Sequence, residues 1–362
     1  MDGLRDVVAA ETVLSDVDGQ AGRLIIRGFM LDELTGRVAY EQACHLLLDG
    51  MIEALPDPEH MRRRLGEARV QAFAETAALD AGLARRPPLD VVRALMARLA
   101  DGDDVDVAMR LLASPAVFAP AAIRAGRGQA PIAPDPSLGH AADMLRMLKG
   151  TLPSPAEAAA LDAYLVTIID HGLNASTFAA RVTASTLAGL TSAALAGISA
   201  LKGPLHGGAP GPVIDMLDAI GSPDRATEWL EAALDRGDRL MGFGHGVYRV
   251  RDPRADALKR TVQSLGASSP DLPGRLKLAE AVEAAALDIL QRRKPNRPLN
   301  TNVEFYTAVL LEALGFPAGA FTCVFAAGRM AGWIAHAREQ VLSGRLIRPS
   351  SRYVGPVPRE AA

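Results

Sequence analysis

Three of the seven histidines in this 362-residue chain stand where a side chain can act on a bound molecule. His206 lies in Gly203-Pro204-Leu205-His206-Gly207-Gly208-Ala209, and His245 in Gly242-Phe243-Gly244-His245-Gly246. Glycine in such loops permits positive φ and lets a ligand approach the backbone closely. His171 opens Asp170-His171-Gly172-Leu173-Asn174-Ala175-Ser176-Thr177. A histidine on a loop is better placed for chemistry than one on a helix face. Taken singly, each is as readily a hydrogen-bonded structural histidine as a catalytic one, so their company matters. That company is Val247-Tyr248, Asp252-Pro253-Arg254-Ala255, Thr301-Asn302-Val303-Glu304-Phe305-Tyr306, Gly328-Arg329-Met330-Ala331-Gly332-Trp333-Ile334-Ala335-His336, and a closing Arg348-Pro349-Ser350-Ser351-Arg352-Tyr353-Val354-Gly355. The set holds proton-transfer groups beside arginines, which pair bidentately with carboxylates. Bland readings stand beside it. An arginine after a proline turn is ordinarily a solvated charge, and a glutamate in a first helical turn is favoured by the dipole alone. His45 and His60 read as structural, and His140 as a cap or a cavity wall. His336 with Glu339 could hold a metal on one helix face, but no second such pair exists, so no metal site is expected.

The elements that must position these groups are nearly all helices. Ser154-Pro155-Ala156-Glu157 combines a capping box with proline at the first helical position. Ser222-Pro223 predicts a helix stopping at Gly237, and Asp252-Pro253 one stopping near Gly266. Leu278, Val282, Ala285 and Ile289 fall on one helical face, which must end before Pro295. Asn302 can cap a helix to about Gly315, and Thr322 one to about Ser343. Leu187–Leu201 reads as a buried core helix, and Arg124–Ser137 as a loop. Strand signals are confined to Thr12–Asp16 and Arg23–Arg27 around Asp18-Gly19, a short hairpin. The fold class is mainly α.

These motifs, in this order and at this spacing, resemble the citrate synthase family over nearly the whole chain; Asp16-Val17-Asp18-Gly19 and Arg27-Gly28 resemble its opening. The resemblance implies a homodimer of two-domain helical subunits. Residues 1–206 and 312–362 would form the large domain, and 207–311 a small domain closing over the substrates. It implies that Glu304 is the base, His206 the donor that stabilises an enol, and His245 the donor to an oxo group. His171, Arg254, Arg329 and Arg348 would hold a dicarboxylate, with Arg348 reaching across the dimer interface. Asp238-Arg239-Leu240-Met241-Gly242 would cradle coenzyme A. A coenzyme A thioester is then a substrate, and no tightly bound cofactor is implied. Two departures stand out. The base is usually aspartate, and arginine usually follows the loop histidine where Gly246 stands here.

The implied reaction makes citrate from acetyl-CoA and oxaloacetate. Alternatives are 2-methylcitrate synthesis from propionyl-CoA, which differs by one methylene; the reverse cleavage of citryl-CoA; and a non-catalytic relative that binds a CoA ester or a dicarboxylate. Bulk properties exclude other classes. A net charge of −3 without a basic stripe argues against nucleic acid. Two cysteines exclude a disulfide scaffold and a four-cysteine zinc site. No signal peptide or membrane span is expected, which predicts a cytoplasmic protein. Gly242-x-Gly244-x-Gly246 is too short for a dinucleotide fingerprint.

Overall fold

The computed structural model describes residues 7–207, 210–268, 272–297 and 299–356; Gly208 and Ala209 of the His206 loop lie outside them. Sixteen α-helices and one three-stranded sheet are formed among the described residues. Side-chain caps explain several helix starts. Ser154 and Glu157 cap each other's backbone at 3.2 and 2.8 Å, opening Pro155–Thr167. Asp252 accepts from Arg254 N at 3.0 Å and opens Pro253–Gly266. Asn302 accepts from Glu304 N at 3.1 Å and opens Val303–Ala313.

Other starts differ from expectation. Ser222 makes no capping bond, so Pro223–Arg225 forms a 3-10 turn before the helix Ala226–Asp235. Thr322 is already inside the helix Phe321–Ser343, and its hydroxyl donates to Gly207 O at 2.9 Å instead. The sheet is also larger than a hairpin. β1 (Ser15–Asp18) pairs with β2 (Arg23–Ile26), and β2 pairs with β3 (Phe29–Met30). Arg27 and Gly28 make the second turn, both at positive φ, with the Arg27 guanidinium held by Leu46 O and Asp49 O.

The helix Phe321–Ser343 is the axis of the core. It packs on Tyr40–Leu48, Val105–Gly126, Pro155–Thr167, Ala175–Ala184 and Leu190–Leu201. Gly197 gives Trp333 room, since a Cβ there would sit 2.9 Å from the indole. Val105–Gly126 and the Ala318–Ser343 stretch are long and apolar enough to cross a membrane by composition, contrary to the sequence expectation. Their apolar windows are 89% and 83% buried inside this fold, which marks them as core helices.

From Pro210 onward the helices Pro210–Ile220, Ala226–Asp235, Pro253–Gly266, Leu272–Arg293 and Val303–Ala313 pack on one another, and Pro253–Gly266 also lies against Pro155–Thr167, so one core runs through both parts. Leu278, Val282 and Ile289 are buried on the predicted face, with Ala285 at its edge. A carboxylate, Glu283, is buried among them. It is satisfied by Lys259 at 2.8 Å, Tyr306 at 2.6 Å, Thr301 at 2.7 Å and Arg251 at 2.9 Å.

Candidate active site

A cavity of about 520 Å³ is lined by His171, His206, His245, Arg254, Glu304 and Arg329 together. Six of the seven residues expected to handle substrate therefore meet at one place. Arg348 does not line it; it lies exposed in the extended tail beyond the last helix.

His245 is fixed by its own loop. Its Nδ1 accepts the N–H groups of Val247 and Tyr248, each at 3.0 Å. The ring proton therefore sits on Nε2, a hydrogen-bond donor. Arg254 Nη2 is 3.3 Å from that Nε2, so two donors face one another and an oxygen acceptor would satisfy both. Burial, with Arg254 beside it, holds the His245 pKa down at about 4, so the ring is neutral at pH 7. Asp252 orients Arg254 through Nε at 3.0 Å and Nη2 at 2.8 Å, and also accepts from Val303 N at 3.2 Å. The same loop is tied to the start of the Glu304 helix: Asn302 Nδ2 donates to Gly244 O at 2.8 Å, and Asn302 N to Gly242 O at 2.9 Å. Glu304 follows in the first turn. Burial raises its pKa to about 7, against the pull of Arg254 and Arg329. A carboxyl poised near neutrality is suited to general-base work.

His206 is oriented through Ser176, whose hydroxyl is 2.8 Å from Nε2. That oxygen also receives Trp333 Nε1–H at 3.2 Å and lies 2.8 Å from Asn174 Oδ1. Asn174 Oδ1 already accepts the N–H groups of Ser176 and Thr177, both at 3.1 Å. The Ser176 hydroxyl donates its proton to Asn174 Oδ1, and its oxygen holds the His206 ring in place through Nε2. Burial and Arg329 lower the His206 pKa to about 4. His171 is driven well below the ordinary range by burial, then by Arg254 and Arg329; its Nε2 is 3.0 Å from Tyr248 OH. The His171 and His245 rings meet edge to face at 5.7 Å.

Arg329 is fully buried. Its Nε donates to Ile168 O at 2.6 Å, its guanidinium lies 4.9 Å from the Phe325 ring, and Nη2 has no partner. Burial draws its pKa down to about 10, so it stays charged. A buried, unpaired cationic donor beside a cavity is a receptor for an anion. Gly328 matters here: a Cβ on it would sit 2.6 Å from Ile168 Cδ1, so glycine lets Arg329 reach that carbonyl.

Asp238, Arg239 and Leu240 line a 190 Å³ hollow with Lys294 and Arg297. Arg239, Arg249, Asn296 and Arg297 line an adjoining groove of 450 Å³ that runs to Gly244, His245 and Gly246. Met241 and Gly242 line neither; Gly242, at φ +84, packs against Phe305. Gly246 has open space around a would-be Cβ and no positive φ, and His245 is clamped by Val247 and Tyr248 regardless. His140 and the His336–Glu339 pair are structural. His140 N donates to Glu41 Oε1 at 2.7 Å; Arg181 binds Glu339 at 2.6 Å and His336 at 2.9 Å. Among the described residues no group of three or more potential metal ligands converges. Asp252 and Asn302 were visible as helix caps within the motifs and Ser176 and Tyr248 only as motif members, while Arg249 and Arg297 carried no signal. Thr12, Ser15, Asp16 and Val17, which also line the cavity, were read only as a strand and, for Asp16 and Val17, as part of the family resemblance.

Three titratable side chains facing two buried guanidiniums, on a helical scaffold, make a site suited to proton-transfer chemistry on an anionic substrate. A family profile described as citrate synthase, C-terminal domain, matches residues 3–350. The citrate synthase of Haloferax volcanii is 39% identical over 372 residues, covering 98% of this chain and 95% of that protein. The 2-methylcitrate synthase of Mycobacterium tuberculosis is 35% identical over 367 residues, covering 98% and 90%. The citrate synthase of Thermoplasma acidophilum, solved as a ternary complex with carboxymethyl coenzyme A and oxaloacetate, superposes with a TM-score of 0.84 at 28% identity, covering 99% of this chain and 97% of that one. The chain belongs to the citrate synthase family.

Proposed function

We propose that this protein condenses acetyl-CoA with oxaloacetate and water, giving citrate and CoA. The observation that carries it is the convergence of Glu304, His206, His245, Arg254 and Arg329 on one cavity. Glu304 takes a proton from the thioester methyl group while His206 donates to the thioester oxygen, where charge develops. The resulting enol attacks the ketone carbon of oxaloacetate, and His245 Nε2–H gives its proton to the new alkoxide. Water then cleaves the citryl thioester, releasing free thiol. His171, Arg254 and Arg329 grip the dicarboxylate, with Arg348 of the partner subunit completing the grip in a homodimer. Loop 238–242, with Arg249 and Arg297, holds the CoA phosphates in the basic groove. Residues 207–311 act as the small domain against 1–206 and 312–362, and their closure excludes water.

Thiol release from acetyl-CoA plus oxaloacetate tests the reading. No thiol from either acetyl- or propionyl-CoA, despite CoA binding, overturns it in favour of a non-catalytic binder. A 2-methylcitrate synthase relative at 35% identity makes propionyl-CoA the second substrate to try. One methylene is worth only about 1–3 kcal/mol in such a pocket.

A further inference from the structure

Two glycines in the turn between β1 and β2 sit against the loop that follows His245. Gly19 O accepts the N–H of Arg249 at 2.8 Å. A Cβ on Gly19 would fall against the Val247 carbonyl, 2.8 Å from its carbon. A Cβ on Gly22, whose φ is +64, would fall 2.7 Å from Val250 Cγ2 and 3.3 Å from Arg251 O. The turn itself is preset, because Asp18 Oδ1 accepts from Gln20 N at 3.0 Å and Ala21 N at 2.9 Å. Val247, the residue Gly19 touches, is one of the two whose N–H fixes His245 Nδ1. The same ribbon reaches the facing histidine: Ser15 Oγ accepts Gly172 N at 2.9 Å and bonds Asp170, the two residues flanking His171.

We propose that the β1–β2 turn is a clamp that sets the position of the His245 imidazole, with Gly19 and Gly22 as positioning residues. The proposal rests on His245 being the donor to the oxo oxygen. The route is short: turn backbone, Val247 peptide, His245 Nδ1. The turn belongs to the N-terminal part of the chain and the loop to the segment beyond residue 207, so the contact ties His245 to the approach of those two parts. Ordinary carbon–carbon contact begins near 3.5 Å, so Gly19→Ala must displace the Val247 peptide by about 0.7 Å or more. A misplacement near 1 Å costs about a hundredfold in rate.

The test is a double-mutant cycle read by thiol release. Gly19→Ala is expected to lower kcat by about 10²-fold while KM for oxaloacetate and the acid limb of the pH profile stay in place. In a His245→Gln background the same substitution should cost nothing further. A full rate in Gly19→Ala, or an equal loss in both backgrounds, overturns the clamp. Should Gly19→Ala fail to fold, Gly22→Asn replaces it, since asparagine tolerates positive φ. Adding Val250→Ala should then restore the lost rate, and an unrestored rate counts against the clamp. Imidazole ¹⁵N shifts of His245 must also move in Gly19→Ala. That readout needs no turnover, so an inactive wild type would sink the proposed reaction and leave the clamp separately testable.

Discussion

Glu304→Asp is the most informative perturbation of this site, because it restores the usual family residue on a backbone built for glutamate. The backbone cannot follow the shorter side chain. Glu304 N is held by Asn302 Oδ1 at 3.1 Å, Val303 N by Asp252 at 3.2 Å, and Asn302 by Gly242 and Gly244 at 2.9 and 2.8 Å. Removing one methylene therefore retracts the carboxylate by about one carbon–carbon bond, ~1.5 Å. A 1 Å error costs about a hundredfold, so kcat should fall by at least that factor. Arg254, Arg329 and His171 are untouched, so KM for oxaloacetate should hold. Two assays apply: thiol release under saturation, and exchange of the acetyl-CoA methyl protons with solvent deuterium. A variant that keeps a third or more of the wild-type rate in both assays would refute the claim that this carboxylate abstracts the proton from a fixed position.

Other outcomes follow from the same geometry. With the Glu304 pKa raised to about 7 by burial, kcat/KM should fall roughly tenfold per unit below pH 7, as the base takes up a proton. A folded pKa raised above the unfolded value means stability is lost as pH rises toward 7. Glu304→Gln should therefore melt above wild type at pH 8, with the gap closing by pH 5 in calorimetry. Gly246→Arg meets open space, so it should leave Tm unchanged and raise kcat/KM, checked by steady-state kinetics; a lower rate would count against it. Asp252→Asn removes the charge that pairs with Arg254 and turns one of its two acceptor oxygens into a donor, leaving one of two backbone N–H groups unpaired, so it should raise KM for oxaloacetate at least tenfold, and removing one partner of a buried ion pair costs about 3–5 kcal/mol. Co-expressing Arg348→Ala with Glu304→Gln chains should regain activity that neither has alone. Half the sites in mixed dimers would pair an intact Glu304 with the partner's intact arginine. No regain would refute the shared site.

The fold was legible where a side chain writes its own capping bond. Ser154, Asp252 and Asn302 mark helix starts because their oxygens accept from the first turn. It was illegible where tertiary contact decides. Ser222 has the right chemistry but no bond, and Thr322 spends its hydroxyl on Gly207 O. Val105–Gly126 holds together through Pro115 and Pro120 because burial outweighs the lost ladder bonds, which no local rule reports. At the site, the histidines, Glu304 and the arginines could be picked out because glycine loops and flanking motifs surround them. Asp252 read only as a cap, yet it orients Arg254 and braces the base helix. The ribbon at Ser15–Gly22 gave a hairpin signal and a share of the family resemblance but no hint of its contact with the His245 loop, since its partners lie far along the chain.

The central helix Phe321–Ser343, buried along nearly its whole length, is also the last described helix. During synthesis, at about 5–20 residues per second, every earlier helix emerges while the slot at the middle of the molecule is still empty. Arg329 arrives only with that helix. A nascent chain therefore cannot begin turnover before the helix carrying Arg329 has emerged, and a premature stop ahead of residue 343 removes the keystone of the fold. Such a truncated product would leave greasy walls open to water, a ready target for chaperones and proteases.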